Sequence, residues 1–239
     1  MPDTLPIMTI FAGPNGAGKS TIRELIKRER DLGVEVDADA IAKEKQLSDM
    51  KAGREVVRMV NECLRDKISF SIETTLSGKL IIQQILQAKE QGYLIRLLFV
   101  SLDSPLEHQT RVEQRVAGGG HAIPSVDIER RFYRSHENLQ KIISMVDHAD
   151  IYSNTTRCEM ALQIERGKIV NQSSKQPAWT ANILSQFEKH LQKSRRHNSG
   201  SVGTKASNRT RICTIRCQTS RAPTSKCKCV CGGKNHGTR

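Results

Sequence analysis

The sequence predicts an α/β protein built on a parallel sheet. Three observations carry that expectation. An apolar, β-branched run, Ile7–Ala12, passes straight through a glycine-rich turn into a helical pattern. Strand-like runs then alternate with amphipathic helical segments as far as Tyr152. Finally, residues 94–102 (LIRLLFVSL) form a nearly continuous apolar strand, the kind buried on both faces of a parallel sheet, and this strand belongs at the centre.

Each element has its own local reason. After the first strand and its turn, TIRELIKRER reads as a helix, and Val34–Val36 as a short strand ending at Asp37-Ala38-Asp39. Residues 49–67 show helical spacing with Val56, Val57, Val60 and Leu64 inward. A third strand, 70–72, ends at Glu73-Thr74-Thr75, and residues 78–91 form a helix with Leu80, Ile81, Ile85, Leu86 and Ala88 as apolar positions. Asp103-Ser104-Pro105 marks a capped helix start with proline in the first turn, and the helix runs to Ala117, where Gly118-Gly119-Gly120 breaks it. A further helix begins near Pro124, and a strand near Ile151 and Tyr152 closes the alternation. Residues 159–170 suggest a small hairpin around Arg166-Gly167, and 179–191 a closing helix.

At 239 residues the chain suits one sizeable domain, expected over 1–191. The formal charge of +13 points to an anionic partner, but its distribution changes that reading. Residues 192–239 hold 12 of the 38 Lys and Arg and none of the acidic residues, which leaves 1–191 nearly neutral. That basic stretch has almost no apolar periodicity and reads as a disordered tail, able to hold nucleic acid only nonspecifically. It also contains Cys213, Cys217, Cys227, Cys229 and Cys231, whose spacing lacks the paired knuckles of a structural zinc site. With only Cys63 and Cys158 outside it, no signal-peptide pattern and no apolar run near the roughly 20 residues that span a bilayer, the expected location is the cytoplasm, with no membrane partner.

The chemistry starts at Gly13-Pro14-Asn15-Gly16-Ala17-Gly18-Lys19-Ser20, a full G-x4-G-K-S loop followed by Thr21. Its glycines let backbone amides converge on phosphate oxygens and the following helix offers its positive end. Lys19, expected exposed on the loop, reaches the outer phosphates, and the Ser20 hydroxyl meets Mg²⁺. ATP and Mg²⁺ are therefore the expected cofactors. Asp103 at the end of LLFVSLD resembles the magnesium-holding Asp of an ATPase, yet Ser104-Pro105 stands where a hydrolytic Glu belongs, and a helix-cap role for Asp103 is favoured.

Asp37, Asp39 and Glu73 end strands on the side where the loop opens, the side on which ligands of open sheets bind. The two aspartates can also be read as turn and cap residues, but a role at the site is favoured. Arg111 and Arg115 share a helix face, and Arg130, Arg131 and Arg134 follow across the glycine break. They form either solvated surface charge or an arginine-bearing lid over phosphates, about 104–146. On residues alone, a small-molecule kinase stands beside a nucleotide-driven ATPase or switch with a protein or nucleic-acid partner, and beside a nucleoside or antibiotic phosphotransferase.

GPNGAGKST, VDADAIA, SIETTLSG and RVEQRVAGGGHAIPSVDIERRFYRSHENL together resemble the zeta-toxin family of P-loop kinases, in particular its small stand-alone bacterial members. The likeness covers about 7–154. It implies a nucleotide-kinase-like, three-layer α/β/α fold that phosphorylates a UDP-activated amino sugar, UDP-N-acetylglucosamine, with ATP and Mg²⁺, and it raises an antitoxin protein as a partner. On this resemblance Asp39 is the base, Glu73 with Thr74 and Thr75 binds the sugar, and Arg115 is the lid arginine. Asp37 is structural or belongs to the Mg²⁺ shell. The sequence departs from the family at the second lid arginine, where Gly120-His121-Ala122-Ile123 precedes the proline, so His121, Arg131 or Arg134 is expected to supply that charge.

Overall fold

The computed structural model describes residues 5–185 and 187–189. The expected basic tail, its cysteines and the last residues of the closing helix lie outside the described residues. Five strands run parallel: β1 (Ile7–Ala12), β2 (Val34–Val36), β3 (Phe70–Thr74), β4 (Leu94–Ser101) and β5 (His148–Ser153). A hairpin, β6 (Glu159–Glu165) and β7 (Lys168–Gln172), extends the sheet antiparallel from β5, giving the order β2-β3-β1-β4-β5-β6-β7. The hairpin turns at Arg166 and Gly167, both at positive φ, where the second position suits glycine. It is thus the edge of the main sheet rather than a separate unit.

Strand alternation sorts the core onto two faces. On one, Met8 and Ile10 of β1 meet Ile72, Leu97 and Phe99, covered by α3 (Asp49–Asp66), α4 (Leu80–Glu90), α6 (Ser125–Ile142) and the closing helix at 180–185 and 187–189. On the other, Phe11, Leu98 and Val100 pack under Ile22 of α1 (Lys19–Lys27). β4 is the fourth of the seven strands, and its buried run extends from Leu97 to Ser101. In α3, Val60 and Leu64 are buried and Val56 packs partly, but Val57 does not join the core. Leu80 and Leu86, expected inward in α4, are 47% and 43% exposed, because the helix turns Ile81, Gln84, Ile85 and Ala88 to the sheet instead. Among the described residues no helix is long and apolar enough to cross a membrane, and Cys63 and Cys158 are free thiols.

Two boundaries differ from expectation. β3 runs on through Glu73 and Thr74 because both pair in register with Phe11 and Ala12 of β1. The cap of α5 (Pro105–Ala117) is Ser104, not Asp103: Ser104 and Glu107 form a reciprocal capping box, an arrangement that contributes about 1 kcal/mol, and Asp103 stands one residue outside it. The glycine break then separates α5 from α6 as expected. Since β1 lies between β3 and β4, the chain changes direction across it, and the crevice beyond the carboxyl end of β1 is where an open sheet of this kind receives a ligand.

Candidate functional site

The Gly13–Ser20 loop fills that crevice. Gly13 sits at φ +139°, where an added Cβ would stand 2.0 Å from the Val100 carbonyl oxygen, so no other residue fits against β4. Gly18, at φ +98°, is the N-cap of α1, and a Cβ there would meet Asn154 Nδ2 at 2.6 Å. α1 has no side-chain cap and no acidic residue in its first turn. Its leading amides and positive end are left for an anion, which is the chemistry a polyphosphate needs. Lys19 opens this helix and is buried, contrary to the expectation of an exposed loop residue. Its Nζ donates to the Pro14 carbonyl at 3.2 Å and lies 3.9 Å from Glu73. Burial pulls the ammonium pKa below its ordinary value, Glu73 opposes that, and Arg115 reinforces it.

Residues from three later elements brace the loop. His108 of α5 is fully buried, accepts from the Leu102 amide at Nε2 (3.2 Å), and so carries its proton on Nδ1, which donates to the Asn15 carbonyl at 2.6 Å. Burial pushes this imidazole down to about 4, and it is neutral near pH 7. Asn154, just past β5, donates from Nδ2 to the Ala17 carbonyl at 2.8 Å, and Arg131 of α6 reaches the Asn15 side chain at 3.1 Å. Arg111 donates to the carbonyls of Asn154 and Thr155.

The acidic residues converge beside the loop. Asp37 caps α2 (Ala38–Glu44), its Oδ1 accepting from the amides of Asp39 (3.0 Å) and Ala40 (3.2 Å), while its Oδ2 pairs with Arg23 of α1. Both oxygens are thereby engaged, and Asp37 is the cap of α2. Burial would raise the Asp37 pKa, but Arg23 and the two amides outweigh it and hold the carboxyl below its ordinary value. The Ser20 hydroxyl instead meets Glu73, at 3.1 Å from each carboxylate oxygen, and Arg23 Nη1 reaches Glu73 at 3.3 Å. Burial disfavours the charged guanidinium of Arg23, yet hydrogen bonding to Asp37 and the charge of Glu73 raise its pKa. Asp39 is exposed and forms no ion pair among the described residues.

A cleft of about 620 Å³ gathers these groups. Asn15, Gly16 and Gly18–Thr21 form one wall, Asp37, Asp39, Glu73, Thr74 and Thr75 a second, and Arg111, Gln114, Arg115 and Arg131 the roof. At the end of β3, the Thr74 hydroxyl accepts from the Leu76 amide (3.1 Å), and Leu76 is held at φ +57° with its carbonyl bound by the buried Asn138 of α6 at 2.9 Å. Arg115 also donates to the His121 carbonyl at 3.0 Å. The other two candidates for the second lid charge stand apart: His121 offers only its backbone to Arg115, and Arg134 is exposed and lines no part of the cleft. Arg130 pairs with Asp127 on the surface. Asp103 belongs to a different cleft, with Thr155, Arg157 and Lys175, and its amide donates to Thr155 Oγ1 at 3.1 Å.

Sequence reasoning assigned no role to Arg23, His108 or Asn154, and left Arg111 as one member of a charged helix face. The signal for Arg23 was its place one turn after Ser20 on α1. The other three carry no local signal, because their partners lie 43 to 137 residues away.

With this geometry in hand, comparison with known proteins gives concordant results. A family model described as Zeta toxin matches residues 1–166. An uncharacterized protein of Haemophilus influenzae is 32% identical over 127 residues, 51% of this chain and 89% of that protein. Among solved structures, the PezAT chromosomal toxin-antitoxin system of Streptococcus pneumoniae is similar at a TM-score of 0.52 and 16% identity, over 80% of this chain and 88% of that one. The AvrRxo1-ORF1:ORF2 structure with ATP is similar at a TM-score of 0.56 and 16% identity, over 78% and 77%. Both share the fold.

Proposed function

The chain belongs to the zeta toxin family, and we propose that it is an ATP-dependent kinase whose acceptor is a hydroxyl of a UDP-activated amino sugar, UDP-N-acetylglucosamine. One observation carries the reading: a single cleft holds a phosphate-binding loop, an exposed carboxylate across from it, and arginines above both. Hydrolysis needs no separate acceptor wall. The Asp that would mark an ATPase, Asp103, faces another cleft.

In this reading the loop amides, the α1 N-terminus and Lys19 hold the β- and γ-phosphates. Mg²⁺, when bound, neutralises charge on the phosphate oxygens. The Ser20 hydroxyl and the adjoining Glu73 carboxylate are the hard oxygen donors suited to it, and such an ion takes only one or two protein oxygens besides phosphate and water. Asp39 accepts the proton of the acceptor hydroxyl as its oxygen bonds to the γ-phosphorus and the bond to the ADP oxygen breaks. Thr74, Thr75 and Glu73, which line the wall opposite the loop, orient the sugar. Arg115 stabilises charge spreading over the transferred group, and Arg131, through its hold on Asn15, is the second lid charge.

The AvrRxo1 structure with ATP supports the donor, and the PezAT toxin-antitoxin system supports an antitoxin protein as a partner. Incubation with γ-labelled ATP, Mg²⁺ and a panel of UDP-sugars, nucleosides and nucleotides, followed by mass analysis, tests the proposal. Label on UDP-N-acetylglucosamine is expected. Label only in free phosphate refutes the kinase reading, and label on a nucleoside refutes the acceptor.

A further inference from the structure

We propose that Arg23 is the positioning residue of this site, the group that ties the acceptor base to the phosphate-binding loop. The inference rests on the kinase reading above and adds a residue to it. β2 and β3 are parallel neighbours with Val36 opposite Ile72, so the next residues, Asp37 just past β2 and Glu73 still within β3, stand side by side at the same height. Two carboxylates so placed repel each other, and a cation between them offsets that repulsion. Arg23 supplies it: one nitrogen, Nη1, pairs with Asp37 Oδ2 and lies 3.3 Å from Glu73 Oε2.

Each carboxylate passes that constraint on. Asp37 also fixes the first turn of α2 through the amides of Asp39 and Ala40, and Asp39 is the proposed base. Glu73 passes it to Ser20, at 3.1 Å, and to Lys19, at 3.9 Å. Arg23 rides on the same helix as those two residues, one turn further on, so any movement of the loop moves the guanidinium with it. It does not itself line the cleft, and it reaches both carboxylates from behind. Both contacts come from that one nitrogen, and an arginine suits the task because its guanidinium stays charged and reaches the pair on a long side chain.

The test compares wild-type protein with Arg23→Ala and Arg23→Lys. With the acceptor found in the panel, Arg23→Ala is expected to lower kcat by on the order of 10²-fold with the KM for ATP within about 2-fold, as for loss of an orienting contact. Added guanidinium is expected to restore part of that rate, and Arg23→Lys to fall between the two. An unchanged kcat, or a loss that neither guanidinium nor lysine relieves in a folded variant, overturns the proposal. If wild-type protein transfers phosphate to nothing, the kinase reading fails, and the bridge is judged by thermal melts of Arg23→Ala, Glu73→Gln and the double variant. A double variant that melts above Arg23→Ala sustains the bridge, and additive losses overturn it.

Discussion

The imidazole of His108 links the fold to the phosphate-binding loop, and acid should reveal it. Nε2 accepts from the Leu102 amide, so protonation replaces that hydrogen bond with two facing donors in a fully buried position. Burial places the folded-state pKa at about 4 against an ordinary 6.5. Between those values the unfolded chain binds the proton and the folded chain does not, so stability rises with pH across this window and is lost as pH falls from about 6.5 toward 4. At 1.36 kcal/mol per pH unit, the loss attributable to this group is about 3 kcal/mol. His136 is also buried and depressed, so the total slope belongs to more than one residue.

His108→Gln separates them, since glutamine can offer a donor toward Asn15 and an acceptor toward Leu102 but does not titrate. Chemical denaturation at closely spaced pH values from 7 to 4 is the assay. The variant is expected to begin less stable at neutral pH and to converge on the wild type as pH falls, its slope shallower by about 3 kcal/mol over the window. Parallel curves would show that His108 takes up its proton at the same pH folded and unfolded, and would refute the argument from burial.

Three further outcomes follow from the cleft. Lys19→Met keeps the buried stem and removes the charge, so phosphoryl transfer is expected to fall by roughly 10³-fold or more with the melting temperature little changed; near-wild-type turnover would remove the loop from the mechanism. Arg115→Ala is expected to lower kcat on the order of 10²- to 10⁴-fold while nucleotide affinity persists, and an unchanged rate in steady-state kinetics would demote it to a surface charge. Asp39→Asn keeps the side-chain size and removes the base, so it should cost transfer severely while ATP still binds; retained activity alongside loss in Glu73→Gln would move the base role to Glu73.

The division between what was readable in the sequence and what was not follows sequence distance. The β1-loop-α1 unit is legible because strand periodicity, glycine conformations and helix start are dictated within 21 consecutive residues, and β4 is legible because a strand buried on both faces needs no partner to be recognised. Leu80 and Leu86 misled because helical spacing alone does not say which of two apolar stripes the sheet will cover; packing chose the stripe through Ile81, Ile85 and Ala88. Asp103 and Ser104 are both good caps, and the decision between them came from Glu107, whose side chain closes a box only with Ser104.

At the site, the groups legible from sequence are those that meet a ligand, since their chemistry needs particular residue types at strand ends and loop glycines. The groups that place them are of another kind. His108 and Asn154 act on backbone carbonyls brought near only by the sheet order and gave no local sign of their tasks, while Arg23 showed only its place one turn after Ser20. Arg23 is the sharpest instance. On a helical wheel it is one more charge of a basic helix, and only the parallel pairing of β2 with β3 puts the two carboxylates beside each other for it to hold. A lysine there would pass as conservative by sequence, while disturbing the contact that holds Asp37 and Glu73 together beside the phosphate loop.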